Sequence, residues 1–576
     1  MNPDWLLKHF EQISEAPDAI PRLRRFILDL AVRGKLVEQD PADEPASELL
    51  KWIEAEKARL AKAGSIRPSK PVEPIEENET PFAIPHSWKW IRLAGAGSVV
   101  GGGTPPSADP ACFTTGGKGI AWLTPADLGK HSGLYILHGA RDLTEKGFSS
   151  SSAQLMPTGS VLFTSRAPIG YTVIAANEIT TNQGFKSVIP FILESNRYIA
   201  TYFKAFATWI DGKASGTTFK EVSGKIVANL PFPLPPLAEQ HRIVAKVDEL
   251  MALCDELEAA QAKREKRRDR LVAATLHGLN NGGDSSEPGA HPTFEESARF
   301  YFNHLPRLTT RPEHIHQLRQ TILNLAVRGR LVPQVPADEP ASELMKGIEM
   351  DKAQLIKEGN IRKQKALPPI GQKDVPFDLP RNWEWVRLGD MCFTITDGSH
   401  HTPHYTEKGV PFLSVKDVSS GKIDLSNTRF ISQESHNELC RRCKPESGDI
   451  LLTKVGTTGI AVAVNRSTEF SIFVSIALLK FPASKILQPF LVHLLNSPFV
   501  RKQSAANTQG IGNKNLVLRL INLFVIPLPP LPEQHRIVAK VDKLMAMCDE
   551  VEARLTTMVA TRRQLLEATL GEAIAS

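Results

Sequence analysis

The sequence predicts a mixed α/β (α+β) protein: two globular domains separated by two long helical regions that pack as an antiparallel coiled coil, related by an internal pseudo-two-fold repeat. Three observations predict it. The segment from Pro233 to Ala259 returns from Pro527 to Ala553 with four differences, Ala238/Pro532, Glu249/Lys543, Leu253/Met547 and Leu257/Val551. A second pair lies upstream, where Leu23 to Leu50 returns as Leu318 to Met345. Between them the copies share a frame and little else: Phe82, Trp88, Trp90, Arg92 and Leu93 are matched by Phe377, Trp383, Trp385, Arg387 and Leu388. Each half is thus one copy of a unit of roughly 295 residues, and a repeat sets the architecture before any local reading does.

The first copy opens with helices in region 1–64, where Ala46, Leu49, Leu50, Ile53 and Leu60 recur at helical spacing. A Pro- and Glu-rich linker follows at 65–81. The globular domain at 82–236 carries short apolar runs, Ser160–Ser165 and Tyr171–Ala176, that read as strands. The central helix is expected at 237–279. Two prolines fix its extended start, and Glu239 sits in the first turn, where an acid favours the helix dipole. A flexible linker at 280–293 leads into the second copy. That copy has helices at 294–358, a linker at 359–376, a globular domain at 377–530 and a closing helix at 531–576. In the closing helix Ile537, Val541, Leu544, Cys548, Val551, Leu555, Met558 and Leu565 follow steps of four and three, an a/d seam interrupted once at Arg562. The central helix begins the same seam with Ile243, Val247, Leu250, Cys254 and Leu257, then places Gln261, Arg264 and Arg268 on it.

Composition suits a large soluble protein, with 41% hydrophobic residues over 576 positions. The net charge of +6 is mild, so a nucleic-acid surface has to be local or shared with a partner. Six cysteines over this length make no disulfide framework, and Cys254 and Cys548 are repeat equivalents on apolar helix faces. The first residues lack a signal-peptide pattern, and no apolar run reaches the roughly 20 residues that span a bilayer. A cytoplasmic location, with no membrane partner, is expected.

Residues for catalysis are not evident. Each Gly-Lys pair, at Gly34, Gly117, Gly129, Gly212, Gly224 and Gly421, lacks the Ser or Thr of a phosphate-binding loop. Gly95 and Gly97 start a G-x-G that ends on Val100, and no Asn-Pro-Pro-aromatic tetrapeptide is present. Asp211-Gly212-Lys213 matches the end of a nuclease motif without a spaced acidic partner. Cys440 and Cys443 with His436 offer three zinc-type ligands and no fourth, and a basic surface turn fits them equally. No metal ligand set is assigned. The basic run Lys263 to Arg270 reads either as a solvated helix face or as a contact to DNA phosphates.

The paired PLPPLxEQ blocks, each followed by a long helix, resemble the specificity subunits of type I restriction-modification systems. So do the AVRGKLV and AVRGRLV segments with PADEPASELL and PADEPASELM. The stretches from Gly102 to His131 and from Thr396 to Ile423 look like openings of target-recognition domains of two different subtypes. The resemblance implies a non-catalytic DNA-recognition subunit. Each target-recognition domain would read one half of a split, asymmetric double-stranded DNA sequence, while the helices space the half-sites and dock two modification (methyltransferase) subunits. Restriction (ATP-dependent translocase/nuclease) subunits would join that core. No cofactor is then expected on this chain, with S-adenosylmethionine, ATP and Mg on the partners. Alternatives are a coiled-coil scaffold with protein-binding domains, or a catalytic methyltransferase or nuclease.

For DNA contact the polar loop residues are the candidates. In the first domain they are Thr104, Lys118, Lys130, Arg166, Asn182, Gln183, Lys186, Thr217, Thr218 and Lys220. In the second they are His400, His401, His404, Lys416, Lys454, Thr457, Thr458, Gln509, Asn513 and Lys514. Arg166 in TSRAPIG and Lys454 in TKVGTTG are expected at matching positions.

Overall fold

The structure, a computed structural model, describes residues 16, 18–63, 74–215, 220–281, 294–465, 468–510 and 514–575. The linker expected at 280–293 lies outside them from 282 onward, and so do residues 1–15 and most of the linker at 65–81. The chain forms two compact units, one of 1–263 with 559–576 and one of 264–558.

In the first unit the globular part begins and ends in one two-stranded clasp. Lys89–Arg92 pairs antiparallel with Pro231–Leu234, setting Trp90 opposite Pro233. The shared Trp-x-Arg frame and the PLPP block are therefore hydrogen-bond partners. Proline cannot donate to a ladder, so it is tolerated on a two-stranded edge. The outer carbonyls of this edge are satisfied by the helix Asn196–Asp211, whose Tyr198 and Tyr202 hydroxyls donate to Pro233 and Pro231 at 2.9 Å each. Burial pushes both phenols up from their ordinary value. Between the clasp strands lie a five-stranded sheet, Gly97–Gly101, Lys186–Pro190, Val161–Ser165, Ile169–Ala175 and Tyr135–Ile136 in spatial order, and a four-stranded one, Phe113–Thr115, Arg141–Leu143, Ile120–Leu123 and Thr180–Thr181.

The second unit repeats the plan. Glu384–Arg387 pairs with Val525–Leu528, Trp385 opposite Pro527. One four-stranded sheet runs Thr394–Asp397, Ile476–Lys480, Ile450–Thr453, Ala461–Ala463 and the other Tyr405–Thr406, Arg429–Ile431, Val410–Leu413, Ser471–Ile472. Two short helices, Gln488–Asn496 and Pro498–Ala506, stand where the first unit has one. Gln503 replaces the tyrosines, bonding Val525 through both its amide oxygen and its nitrogen.

At the foot of each long helix is a buried node. Glu239, 1% exposed, accepts from the Trp88 indole at 2.8 Å and the Gln39 amide at 2.6 Å. Glu533 accepts from Trp383 at 2.9 Å and Gln334 at 2.5 Å. One turn on, Arg242 pairs with Asp43 and Arg536 with Asp338, each at 2.6 Å. Glu239 thus lies in the first turn, as the sequence suggested, and is in addition a buried hydrogen-bond acceptor. The glycines of the AVRG segments belong here too. Gly34 and Gly329 have φ +69° and +66°, and a Cβ on either would lie 2.5 Å from Cγ of Pro85 or Pro380. Only glycine ends the helix in that conformation beside that ring.

The seam residues of the long helices face short helices of the same unit. Ile243, Val247 and Cys254 are buried in one core with Ile20 and Ile27 of the helix Ala19–Val32. Ile537, Val541, Cys548 and Leu555 share a core with Ile315 and Ile322 of the helix Pro312–Val327. In the second unit that short helix bridges both long-helix segments. His314 bonds Asp269 at 2.9 Å and Asn324 bonds Asn280 at 2.8 Å, with residue numbers rising together. Arg319 bonds Asp549 and Glu552 while Gln334 bonds Glu533, with numbers opposed. The two long-helix segments are therefore antiparallel, as the repeat suggested, with the short helix laid against both. The first unit does the same: Arg24 pairs with Asp255 and Glu258 on one side, Arg22 with Glu567 on the other. The acids of the basic run take part, since Asp269 holds Arg311 and His314, and these bonds keep its carboxyl below the usual range. The run is a largely exposed helix face with an internal Arg268–Glu265 ion pair, and its Asp269 also holds the short helix. Among the described residues no helix is long and apolar enough to cross a membrane.

Glu239→Gln and Glu533→Gln each replace a double acceptor by a group with one oxygen, leaving a buried donor facing an NH2. Each is expected to cost about 1–3 kcal/mol, read as a lower unfolding midpoint in denaturant. Desolvation raises the carboxyl of both acids. Their contribution is full below the unfolded-state pKa and is lost as pH rises through the folded-state value, so the deficit of the Gln variants is expected to shrink over that rise.

Candidate nucleic-acid interface

In each globular domain a hairpin turn meets two loops at one edge, and the backbone bonds that join them correspond one for one. Tyr171 N donates to Thr164 Oγ1, and Ile460 N to Thr453 Oγ1, both at 2.9 Å. Ser165 N donates to Gly184 O and Lys454 N to Ser475 O; Val222 N donates to Ser165 O and Leu516 N to Lys454 O. Gly103 N reaches Thr181 O as Ser399 N reaches Ile472 O. Short bridges Ser215/Glu221 and Gln509/Asn515 close the edge. Thr104 therefore corresponds to His400, Lys220 to Lys514 and Glu221 to Asn515. Lys454 corresponds to Ser165, and Arg166 to Val455. This corrects the expected match of Arg166 with Lys454 by one residue, and in a strand one residue reverses the side chain's direction.

The glycine before each of these loops is dictated by close backbone approach. A Cβ on Gly102 would meet Asn182 O at 2.0 Å, and one on Gly398 would meet Ile472 O at 1.8 Å. The following helical turns are also alike, with Asp127 capping Thr124 N at 2.8 Å and Asp417 capping Ser414 N at 2.7 Å.

In the first domain this edge gathers six of the candidates. Thr104 and Gln183 are exposed and hydrogen-bonded to each other. Asn182 spends its oxygen on Gly184 N at 2.9 Å, holding the turn rather than projecting from it. Glu221 lies between Lys186 at 3.0 Å and Arg166 at 3.7 Å, so both cations have an acid partner that sequence reading missed. Lys220 is exposed beside it. Lys118 lies apart, on a turn whose backbone N–H groups at 117, 118 and 119 all donate to the buried Asp142 at 2.6, 3.0 and 3.1 Å. Lys130, also exposed, follows the helix Pro125–Leu128 and neighbours Gly129, which lies by the half-exposed Tyr171. Thr217 and Thr218 lie outside the described residues.

In the second domain the edge is organised by Asp397, whose side chain is 3% exposed. Lys454 Nζ donates to its Oδ2 at 2.7 Å, and His400 Nε2 lies 3.1 Å from Oδ1, which also accepts from Arg442. Lys454 is itself only 5% exposed. It is a buried ion-pair partner, turned inward just beyond the strand Ile450–Thr453. His401 and His404 are exposed; Ser399 bonds the His401 carbonyl at 2.6 Å. Thr458 bonds Thr508 at 2.9 Å, Gly456 N donates to Lys514 O at 3.0 Å, and Thr457, Gln509 and Lys514 are exposed on the same loops. Lys416 is exposed but its Nζ donates to Asn427 O at 2.8 Å. Asn513 lies outside the described residues.

The Cys440-x-x-Cys443 turn serves packing. Cys443 is buried with Leu413, Val418 and Leu451, and burial pushes its thiol up to about 12. Cys440 Sγ lies 3.5 Å from His436 Nε2, whose ring also bonds Ser471 at 2.9 Å. Among the described residues no group of three His, Cys, Asp or Glu is arranged to hold a metal ion.

Residues 85–265 and 380–560 each match the family model described as the type I restriction modification DNA specificity domain. The chain is 31% identical to the type I restriction enzyme EcoAI specificity subunit of Escherichia coli, covering 96% of this chain and 94% of that one. It is also 31% identical to the EcoEI specificity subunit of Escherichia coli, with the same coverage. The crystal structure of the HsdS subunit from Thermoanaerobacter tengcongensis shares 19% identity at a TM-score of 0.43, over 86% of this chain and 99% of that one.

Asp142→Ala removes the acceptor of three backbone donors. It is expected to release the turn at 115–119, seen as faster hydrogen exchange at the 117–119 amides, at a cost of about 1–3 kcal/mol.

Proposed function

The chain belongs to the type I restriction-modification DNA specificity family, and from that premise we propose that it is the DNA-recognition subunit of such a complex. One observation carries the reading. The two edges share their backbone bonds and differ in the side chains set on them: Thr104 against His400, Arg166 against Val455 and Glu221 against Asn515 at the surface, with Ser165 against Lys454 buried beneath. Identical edges related by a two-fold axis would suit a palindrome. Two different edges on one repeated scaffold suit a split target with dissimilar halves. The exposed pair Lys220 and Lys514 fits the part common to both halves, the phosphate backbone, which positions without specifying.

In this reading the long helices are a spacer, and the fixed length of the chain between the two domains fixes the gap between half-sites. The repeated short helices with their Glu–Trp–Gln nodes offer two near-equivalent surfaces to two modification subunits. Restriction subunits join that assembly in the cytoplasm. Adenine methylation and cleavage belong to those partners, with S-adenosylmethionine, ATP and Mg bound there, and the present chain supplies the address without catalysis.

The test is to co-express this chain with its modification subunit in a methylation-free cell and map methyladenine across the genome. A split, asymmetric motif with one fixed gap, absent when the chain is omitted, is the expected result. No motif from a stable complex with a competent modification subunit would sink the proposal. On the mapped target, Lys220→Ala and Lys514→Ala are each expected to weaken binding uniformly across sequences. Each should lower the slope of log affinity against log salt by about 1 in a titration series.

A further inference from the structure

We propose that Asp397 is the positioning residue for base selection by the second domain, holding Arg442 and His400 in the pose in which they meet the DNA. The inference rests on the assignment of that edge to DNA reading. Asp397 ends the strand Thr394–Asp397, opposite Ala477. Its backbone position is fixed by the next residues, since Gly398 is pressed against Ile472 O, Ser399 N donates to Ile472 O and Val474 N donates to Ser399 O, both at 2.9 Å. A nearly fully buried carboxylate requires partners. It has three, and they divide into two kinds. Lys454 is buried with it and neutralises it. Arg442 and His400 each have side chains 55% exposed and touch the carboxylate by one edge while the rest of the group faces solvent.

The charges do not cancel. Two cationic side chains, Lys454 and Arg442, face one carboxylate, which leaves one net positive charge, displayed through the exposed arginine. Arg442 gives one terminal nitrogen to Asp397, through Oδ1 and the backbone carbonyl, which leaves its other terminal nitrogen and Nε unspent on the carboxylate. Each of these can donate singly to a base-edge acceptor such as guanine O6 or N7 in the major groove. Fixing a long side chain before binding removes the entropy of ordering it at contact.

Two further features point the same way. Arg442 sits between Cys440 and Cys443, and the buried Cys443 anchors the turn that delivers it, giving the Cys-x-x-Cys sequence a task without metal. The device also belongs to one domain alone. The equivalent of Asp397 at the end of the corresponding strand is Gly101, and the equivalent of Lys454 is Ser165. An acid that organised the shared scaffold would be expected in both copies, as Glu239 and Glu533 are. An acid that organises a reading surface is needed only where that surface requires it.

The test uses the whole complex with its modification subunit, scoring methylation of the mapped motif and of each single-base variant. Asp397→Asn is expected to relax base preference roughly 5- to 100-fold at one or two positions within one half-site, leaving the other half and the gap unchanged. Arg442→Ala should relax the same positions, and the double variant should add nothing further, because both act through one pose. Unaltered preference in a folded Asp397→Asn complex, or equal loss at both halves, overturns the inference. Should Asp397→Asn fail to assemble, the exposed Arg442→Ala and His400→Ala decide: relaxation within one half-site supports it and unaltered preference in both overturns it. A wild-type complex that directs no motif at all would instead overturn the DNA-reading assignment on which the inference rests.

Discussion

In each unit a buried glutamate in the first turn of a long helix holds together three parts of the copy that are far apart in sequence. Glu239 joins the turn after the first short helix, through Gln39, to the start of the globular domain, through Trp88, and both to its own helix. Burying a carboxylate costs several kcal/mol unless its oxygens are occupied, so the node stands only if all three parts arrive together. Its repeat at Glu533, with Gln334 and Trp383, shows what the duplication kept. The near-identical blocks contain the glutamate and glutamine of this node and the Arg–Asp pair beside it, while the stretches between them have diverged around the tryptophan that each still contributes to it.

The divergence has a limit set by the backbone. Both domains need a glycine where chain meets chain, at Gly102 and Gly398, and a capping acid at Asp127 and Asp417. They need a threonine hydroxyl inside the hairpin, at Thr164 and Thr453. Around these fixed points the side chains at the edge changed character. The first domain sets Arg166 and Lys186 about the half-exposed Glu221; the second sinks Asp397 and lets an arginine and a histidine stand out from it. The same frame sets its cations about a half-exposed acid in one case and about a buried one in the other.

Much of this was legible from the residues. A repeat is a comparison within the chain, so the two-copy plan, the long helices and the paired loops bearing Lys220 and Lys514 needed no tertiary information. The antiparallel sense of the helices also followed, although their seam proved to be packed against Ile20, Ile27, Ile315 and Ile322 of the short helices. What failed was anything decided by side-chain direction or by a distant partner. TSRAPIG and TKVGTTG align by eye with arginine near lysine, but hydrogen-bond register puts Lys454 over Ser165 and turns it inward. Asp397 and Glu221 gave no signal because their partners come from separate loops, and an isolated acid in a loop looks solvated. Arg442 was visible only as part of a basic turn around two cysteines whose sulfurs drew the attention.

The two-stranded clasp has a consequence of another kind. Because Lys89–Arg92 and Pro231–Leu234 lie side by side, everything between them leaves and re-enters the scaffold at one place, and the second copy does the same at Glu384–Arg387 and Val525–Leu528. Roughly a quarter of the chain is thus an insert with adjoining ends, flanked by nearly the same sequence in both halves. Genetic exchange that breaks within those flanks can bring in a foreign insert, or trade the two, wherever the incoming insert keeps the helix that packs on the short helix outside the clasp. A lineage carrying this chain can acquire a new address in one recombination event, where point mutation would have to rebuild a reading edge residue by residue.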